Sequence, residues 1–288
     1  MKIKDLKGTY QYAMHGLGVY KGLRQTNTFD AFEYWYGKGI RVFEIDLAKT
    51  ADDSYVAVAH AMDKWSLNRL ELFNLPEEDE RTKSWFMGQR LFSISTKGLK
   101  PLSLDSMVEL LQQYENSIIM MDLYGMFSKR ETQCFTRTIQ KVIGEKTDLW
   151  DRILLEAYNM EMVDGIKAVS SSANIIYCVR YENNLHDEKT VSSQELIENK
   201  VGFVSYPWRC SSVHPGEIEE FSKYGLTVFS RTKFNTKDKQ LKNMGVSVNI
   251  IAKRFDGPLI LLQWPLYMVT YIKRIIIKVE IKLKSKVN

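Results

Sequence analysis

Two of the four histidines, His15 and His60, close short apolar runs, Tyr12–His15 and Tyr55–His60. Glu44 and Asp46 stand two apart in the run Arg41–Leu47, so on an extended strand both side chains leave the same face. Asp122 ends a further run, Ile118-Ile119-Met120-Met121. An acid at such a position has no easy place in an apolar core, and burying one beside another is costly without a cation. Three carboxylates meeting at one point would suit a hard divalent ion, Mg²⁺ or Ca²⁺, which takes oxygen ligands. Two histidines flanking that ion would suit general acid and base work near neutral pH. Taken singly, each residue has a plainer reading, a hydrogen-bonded structural histidine or a solvated acidic edge. Order and spacing together are more specific: His15, then Asn27-Thr28 opening a helix, then Glu44-x-Asp46, then His60.

These residues need a scaffold that brings strand ends together. Strand-like runs are expected at Tyr12–His15, Arg41–Leu47, Tyr55–His60, Ser117–Asp122, Ile153–Ala157, Ile175–Val179, Gly202–Ser205, Leu226–Ser230 and Val248–Ala252. Helical periodicity separates most of them, at Asn27–Lys38, Leu104–Tyr114, Gly216–Tyr224 and Lys237–Met244. Such alternation predicts a parallel sheet covered by helices. The connection Ala48–Ser54 is too short for a crossover helix and rich in turn formers, so Arg41–Leu47 and Tyr55–His60 should form a hairpin. Without the returning strand, eight strands remain, enough to close a (β/α)₈ TIM barrel, with an open doubly wound sheet as the alternative. In a barrel, strand C-termini converge on one face, which is where the candidate residues lie. The expected domains are an α/β barrel over 1–257, interrupted after the hairpin by an insertion at 61–101, and a tail at 258–288. The insertion carries Trp65, Phe73, Trp85, Phe86 and Phe92 and reads either as a lid or as a small satellite core.

Charge separates the body from the tail. The chain has 288 residues and a net charge of +5, and from Lys273 onward six basic residues face one acid. The preceding residues balance at 34 of each sign, which excludes a general nucleic-acid binder. In the tail, the apolar stretch Leu259–Ile272 is 14 residues long and includes Gln263 and Pro265, short of the ~20 a spanning helix needs. It reads either as an interfacial segment on an anionic membrane surface or as a terminal element packed on protein. Cys134, Cys178 and Cys210 are too scattered for a disulfide framework or zinc site, and the N-terminus lacks the apolar run of a signal peptide. A cytoplasmic protein, peripheral at the inner face of the membrane if the tail binds there, is the expectation.

The run HGLG (His15–Gly18) followed by TNTFDAFEYWYGKGIRVFEIDLAKTADDSYVAVAH (Thr26–His60) resembles the N-terminal signature of the glycerophosphodiester phosphodiesterases. These lie within the wider superfamily of phosphatidylinositol-specific phospholipase C-like phosphodiesterases. The resemblance continues more weakly through IIMMDLYG, ILLEAYN, GLTVFSRTKFN and GVSVNII, to about residue 252. It implies a metal-dependent hydrolase of a glycerophosphodiester-like or polyol-phosphate substrate. His15 and His60 would be the acid/base pair, and Glu44, Asp46 and Asp122 the ligands of a divalent metal. It also implies basic phosphate contacts that are absent here. Gly16 replaces the usual Arg after the first His, and Tyr124 stands where a Lys normally follows the third acid. Thr26 replaces the Glu of the helix-start motif, and the acid of the last strand is missing from Asn249–Lys253. Arg24, Arg180 and Arg231, the last just after Leu226–Ser230, are candidate replacements. Asn27, Tyr158 and Trp208 are further candidate substrate contacts. The departures resemble a divergent bacterial subgroup. A non-catalytic module that keeps the pocket for a phosphorylated glycan or lipid headgroup, held at a membrane by the tail, is the alternative.

Overall fold

The computed structural model describes residues 2–7, 11–21, 23–58, 78–89, 98–123, 125–179, 191–207, 215–234 and 238–253. The strands are β1 (Gln11–Met14), β2 (Val19–Tyr20), β3 (Leu23–Arg24), β4 (Val42–Lys49), β5 (Tyr55–Ala57), β6 (Ile118–Asp122), β7 (Ile153–Ala157), β8 (Asn174–Cys178), β9 (Phe203–Pro207), β10 (Thr227–Phe234) and β11 (Val248–Lys253). Helices α1 (Phe29–Gly37), α2 (Lys83–Met87), α3 (Leu104–Gln113), α4 (Lys129–Ile143), α5 (Met160–Val169), α6 (Ser193–Glu198), α7 (Pro215–Lys223) and α8 (Asp238–Asn243) lie between or beside them.

Eight strands run parallel in the order β1-β11-β10-β9-β8-β7-β6-β4, and β1 pairs again with β4, closing the (β/α)₈ TIM barrel. β5 returns antiparallel on β4, as the short, turn-rich connection requires. β2 and β3 form a separate small hairpin that apolar patterning does not announce.

Strand alternation divides the side chains between two cores. One parity faces the helices, where Phe43, Ile45, Ile119, Met121 and Leu155 pack against Phe32, Met107, Leu110, Phe135 and Ile166. The opposite parity fills the barrel: Ala13, Val42, Ile118, Met120, Leu154, Ile176, Phe229, Val248 and Ile250 cluster with Ile3 and Leu6 from the N-terminal 3₁₀ turn. This apolar plug makes the barrel floor solid. The same inward parity, one step further along each strand, delivers polar residues to the C-terminal mouth. Side-chain caps fix where several helices begin: Ser103, Ser128, Asn159 and Ser192 each accept a backbone N–H from the first turn.

Two differences from the expected strand boundaries bear on the site. β10 continues past Ser230 because β9 and β11 run alongside it, pairing Arg231 with Pro207 and Ile250. Arg231 is therefore a strand residue rather than part of a following loop. β1 stops at Met14, and His15 starts a single tight turn in which Gly16, Leu17 and Gly18 all have positive φ.

Within the insertion, α2 buries Phe86 with Ala48, Val56, Val58 and Leu99 in a small satellite core beside the barrel. Trp65, Phe73 and Phe92 lie outside the described residues, as do His60, Arg180, Trp208 and the whole tail 258–288. Among the described residues no helix is long and apolar enough to cross a membrane.

Candidate active site

Strand register assembles the site. Asp46 on β4 pairs with Asp122 on β6, so the two acids stand side by side at the same height. Met14 pairs with Phe43, which places His15, the next residue, level with Glu44. The His15 ring lies 3.7 Å from Glu44, and the Gly16 N–H donates to the other oxygen of that carboxylate. That approach needs the left-handed backbone of Gly16 (φ 55). The Gln25 side-chain amide nitrogen stands 3.1 Å from Nδ1 and 3.3 Å from Nε2 of the His15 ring.

Asn27 grips Asp46 from two directions. Its amide donates to Asp46 Oδ2 at 2.8 Å, and its carbonyl oxygen accepts the Asp46 backbone N–H at 3.1 Å. Asn27 also has a positive φ (49), a conformation that asparagine tolerates better than most residues. Its side chain is buried, so it braces a carboxylate.

On the far side of the mouth lies Glu156, an inward residue of β7 that the sequence reading passes over. The Tyr158 hydroxyl donates to Asp122 at 2.6 Å and stands 3.0 Å from Glu156, joining the two acids. Tyr158 is itself buried, so its hydroxyl serves the carboxylates. Arg231 ion-pairs through Nη2 with Glu156, while its Nη1 stands 3.7 Å from Glu44. The Cys178 thiol donates to Glu156 at 3.3 Å. The overlooked signal was a lone acid inside ILLEA, the kind of interruption that marks Asp122 in IIMMD.

Glu44, Asp46, Asp122 and Glu156 are all fully buried. Burial pushes the Glu44 carboxyl well above its usual range; Asp46 adds to the shift and Arg231 opposes it. Burial raises Glu156 to about 7 against the pull of Arg231. The Tyr158 hydroxyl and the Cys178 thiol are also pushed up by burial. Packing so many acids together is unfavourable unless a cation or protons offset their charge.

The donor set fits a divalent cation. Ligand atoms of His15, Glu44 and Asp46 lie within 4.8 Å of one another, and so do those of Glu44, Asp122 and Glu156. Glu44 is common to both groups, and its Oε1 accepts no hydrogen bond among the described residues, as is true of Glu156 Oε1. The Glu44 oxygen suits a hard cation, whereas Glu156 is engaged by Arg231 through its other oxygen. The structure thus brings together seven sequence candidates, His15, Asn27, Glu44, Asp46, Asp122, Tyr158 and Arg231, and adds Gln25 and Glu156. For Arg24 only the strand position on β3 is described.

The buried acids and the histidine lie at the C-terminal mouth of the parallel barrel, the face on which TIM-barrel folds carry their active sites. Solved glycerophosphodiester phosphodiesterases share this barrel fold. A glycerophosphodiester phosphodiesterase from Parabacteroides distasonis superposes with a TM-score of 0.65 at 15% identity, over 92% of this chain and 99% of that one. An Oleispira antarctica phosphodiesterase, in complex with the product sn-glycerol-3-phosphate, gives 0.66 at 15% identity over 85% and 93%. A glycerophosphodiester phosphodiesterase from Agrobacterium tumefaciens gives 0.62 at 14% over 85% and 96%. At such identities the likeness shows a shared fold. No family model and no curated protein matches the sequence.

Proposed function

We propose that this chain is a metal-dependent phosphodiesterase acting on a glycerophosphodiester-like or polyol-phosphate substrate. One observation carries the reading: His15 and the buried acids Glu44, Asp46 and Asp122 stand together at the mouth of a barrel of this fold. Glu44, Asp46 and Asp122 would hold the ion, Mg²⁺ or Ca²⁺. When bound, such an ion supplies Lewis-acid polarisation of the phosphodiester and offsets its negative charge.

The chain's own residues supply the rest. The His15 side chain is 25% exposed, so it borders the carboxylates yet can meet a ligand entering the mouth. Glu44 stands 3.7 Å from the ring and the Gln25 amide lies against it, so both border the ring. In this reading His15 and His60 share the proton work, one taking the proton of the attacking oxygen and the other giving a proton to the departing alcohol. The attacking oxygen belongs to water or to a neighbouring substrate hydroxyl; the latter yields a cyclic phosphate. Asn27 keeps Asp46 oriented, and the apolar plug beneath keeps the floor closed to water.

The test is hydrolysis of glycerophosphodiesters and of bis(4-nitrophenyl) phosphate by the full chain, with Mg²⁺ or Ca²⁺ and with chelator. Turnover should require the ion. His15→Ala and His60→Ala should each lower kcat by about 10²–10⁴ with the circular dichroism spectrum unchanged. Full activity in either variant, or in chelator, would remove this mechanism. Metal-dependent ligand binding without any turnover would identify a non-catalytic module instead.

A further inference from the structure

A phosphodiester needs positive charge at the mouth beyond the metal, and the resemblance looks for it in residues that are absent here. The position two residues beyond the third acid is Tyr124, and the residue after His15 is glycine. The site itself holds four buried carboxylates, those of Glu44, Asp46, Asp122 and Glu156. Among the described residues, one guanidinium makes ion pairs with this group, that of Arg231.

Its placement is specific. β10 and β6 lie directly across the eight-strand barrel from one another, with three strands between them on either side. On β10 the inward residue before Arg231 is Phe229, part of the apolar plug, so Arg231 occupies the next layer up, level with the acids. Its side chain is 9% exposed, and it reaches Glu156 on β7 with one nitrogen and Glu44 on β4 with the other. A guanidinium is a planar fork with two usable edges. The Glu156 carboxylate fixes one edge, and Cys178 and Tyr158 in turn hold that carboxylate. The other nitrogen faces Glu44 at 3.7 Å, beside the group that would hold the ion. An anion bound at that ion would lie against this nitrogen.

We propose that Arg231 contacts the substrate phosphate and that Glu156 is its positioning residue, so that the missing basic residue is replaced from the opposite wall of the barrel. This rests on the phosphodiesterase reading for the identity of the anion. Arg231 thereby does two things, offsetting Glu156 and presenting one Nη to a non-bridging phosphate oxygen. Glu156 acts only through Arg231 and is not a ligand of the ion.

The experiment uses the full chain and two calorimetric titrations: Mn²⁺ alone, then inorganic phosphate into Mn²⁺-loaded protein. Neither requires turnover. Arg231→Gln should weaken phosphate binding by about tenfold or more, the usual loss for a charge-assisted hydrogen bond, and leave Mn²⁺ affinity within about twofold. Arg231→Lys should recover part of the loss. Glu156→Gln should weaken phosphate binding less than Arg231→Gln, again without loss of Mn²⁺ affinity. The double variant Glu156→Gln/Arg231→Gln should bind phosphate no worse than Arg231→Gln alone, because Glu156 acts only through Arg231. The double variant removes both members of the Glu156–Arg231 pair, so neither is left buried without the other, and it serves if melting curves show that Arg231→Gln alone does not fold.

Unchanged phosphate affinity in Arg231→Gln, or in the double variant, overturns the proposal. So does a Glu156→Gln protein that loses well over about 100-fold in Mn²⁺ affinity, more than the loss of a group that only orients a ligand, which would make Glu156 a metal ligand. Absence of phosphate binding by the loaded wild-type protein overturns it as well. If phosphate binds through Arg231 but no diester is turned over, the proposal stands and the catalytic reading falls.

Discussion

Asn27 and Glu156 show what a single residue can and cannot announce. Asn27 is conspicuous because it opens a helix between a histidine and an acid pair, and in the structure it serves one of those acids, Asp46. Replacing it with alanine removes a donor to a buried carboxylate and an acceptor for a buried backbone N–H. Asn27→Ala is therefore expected to destabilise the chain by about 1–3 kcal/mol. It is also expected to weaken divalent-ion affinity by about 10–100-fold, as for other groups that orient a metal ligand. Urea titration and Mn²⁺ calorimetry measure the two effects, and an unchanged Mn²⁺ affinity would remove Asp46 from the ligand set. Glu156 was legible only in part. Its isolation in an apolar strand marks it as unusual, but what makes it functional is the ion pair with Arg231, 75 residues away. No local spacing encodes that contact.

At the scale of elements, legibility follows how local the cause is. The hairpin of β4 and β5 could be read because a turn-rich connection of seven residues leaves no alternative. The barrel strands could be read because β-branched runs recur between helical segments. The end of β10 could not, since its length is set by neighbours on both sides. Nor was the turn after β1 legible beyond its glycines, although it decides where His15 points. Gly16 lies at φ 55, and a Cβ there would meet Gln25 Cβ at 2.7 Å. Gly16→Ala would therefore strain the backbone and displace Gln25, which lies against the His15 ring. The expected stability cost is about 1–2 kcal/mol from the left-handed conformation, before any clash. Because the turn also aims the Gly16 N–H at Glu44, activity should fall more than stability alone explains. Comparing kcat with the unfolding midpoint tests this: normal kcat in the folded fraction would show that the turn has no part in aligning His15.

Across the whole molecule, the buried acids at the mouth couple protons to folding and, on the proposed reading, to the metal as well. Glu44 and Glu156 are raised above the 4.5 of a free carboxyl, Glu156 to about 7, with burial the main cause for each. Between about 4.5 and 7 the folded chain therefore holds protons that the unfolded chain has released. Unfolding then sheds protons, so the stability of the metal-free protein should fall as pH rises through this window. On the proposed reading a divalent ion would reverse the balance, binding the ionised Glu44 carboxylate and replacing its proton. Its stabilisation should be small near pH 5 and large near pH 7.5, because it must displace protons in the first case and relieves bare charge in the second. Thermal unfolding with Mg²⁺ and with chelator at both pH values measures this. The expected result is a chelator-treated midpoint that drops toward neutral pH and an Mg²⁺ increment that grows. An equal increment at both pH values would mean that the ion binds away from Glu44 and that the buried acids of this barrel are neutralised by protons alone.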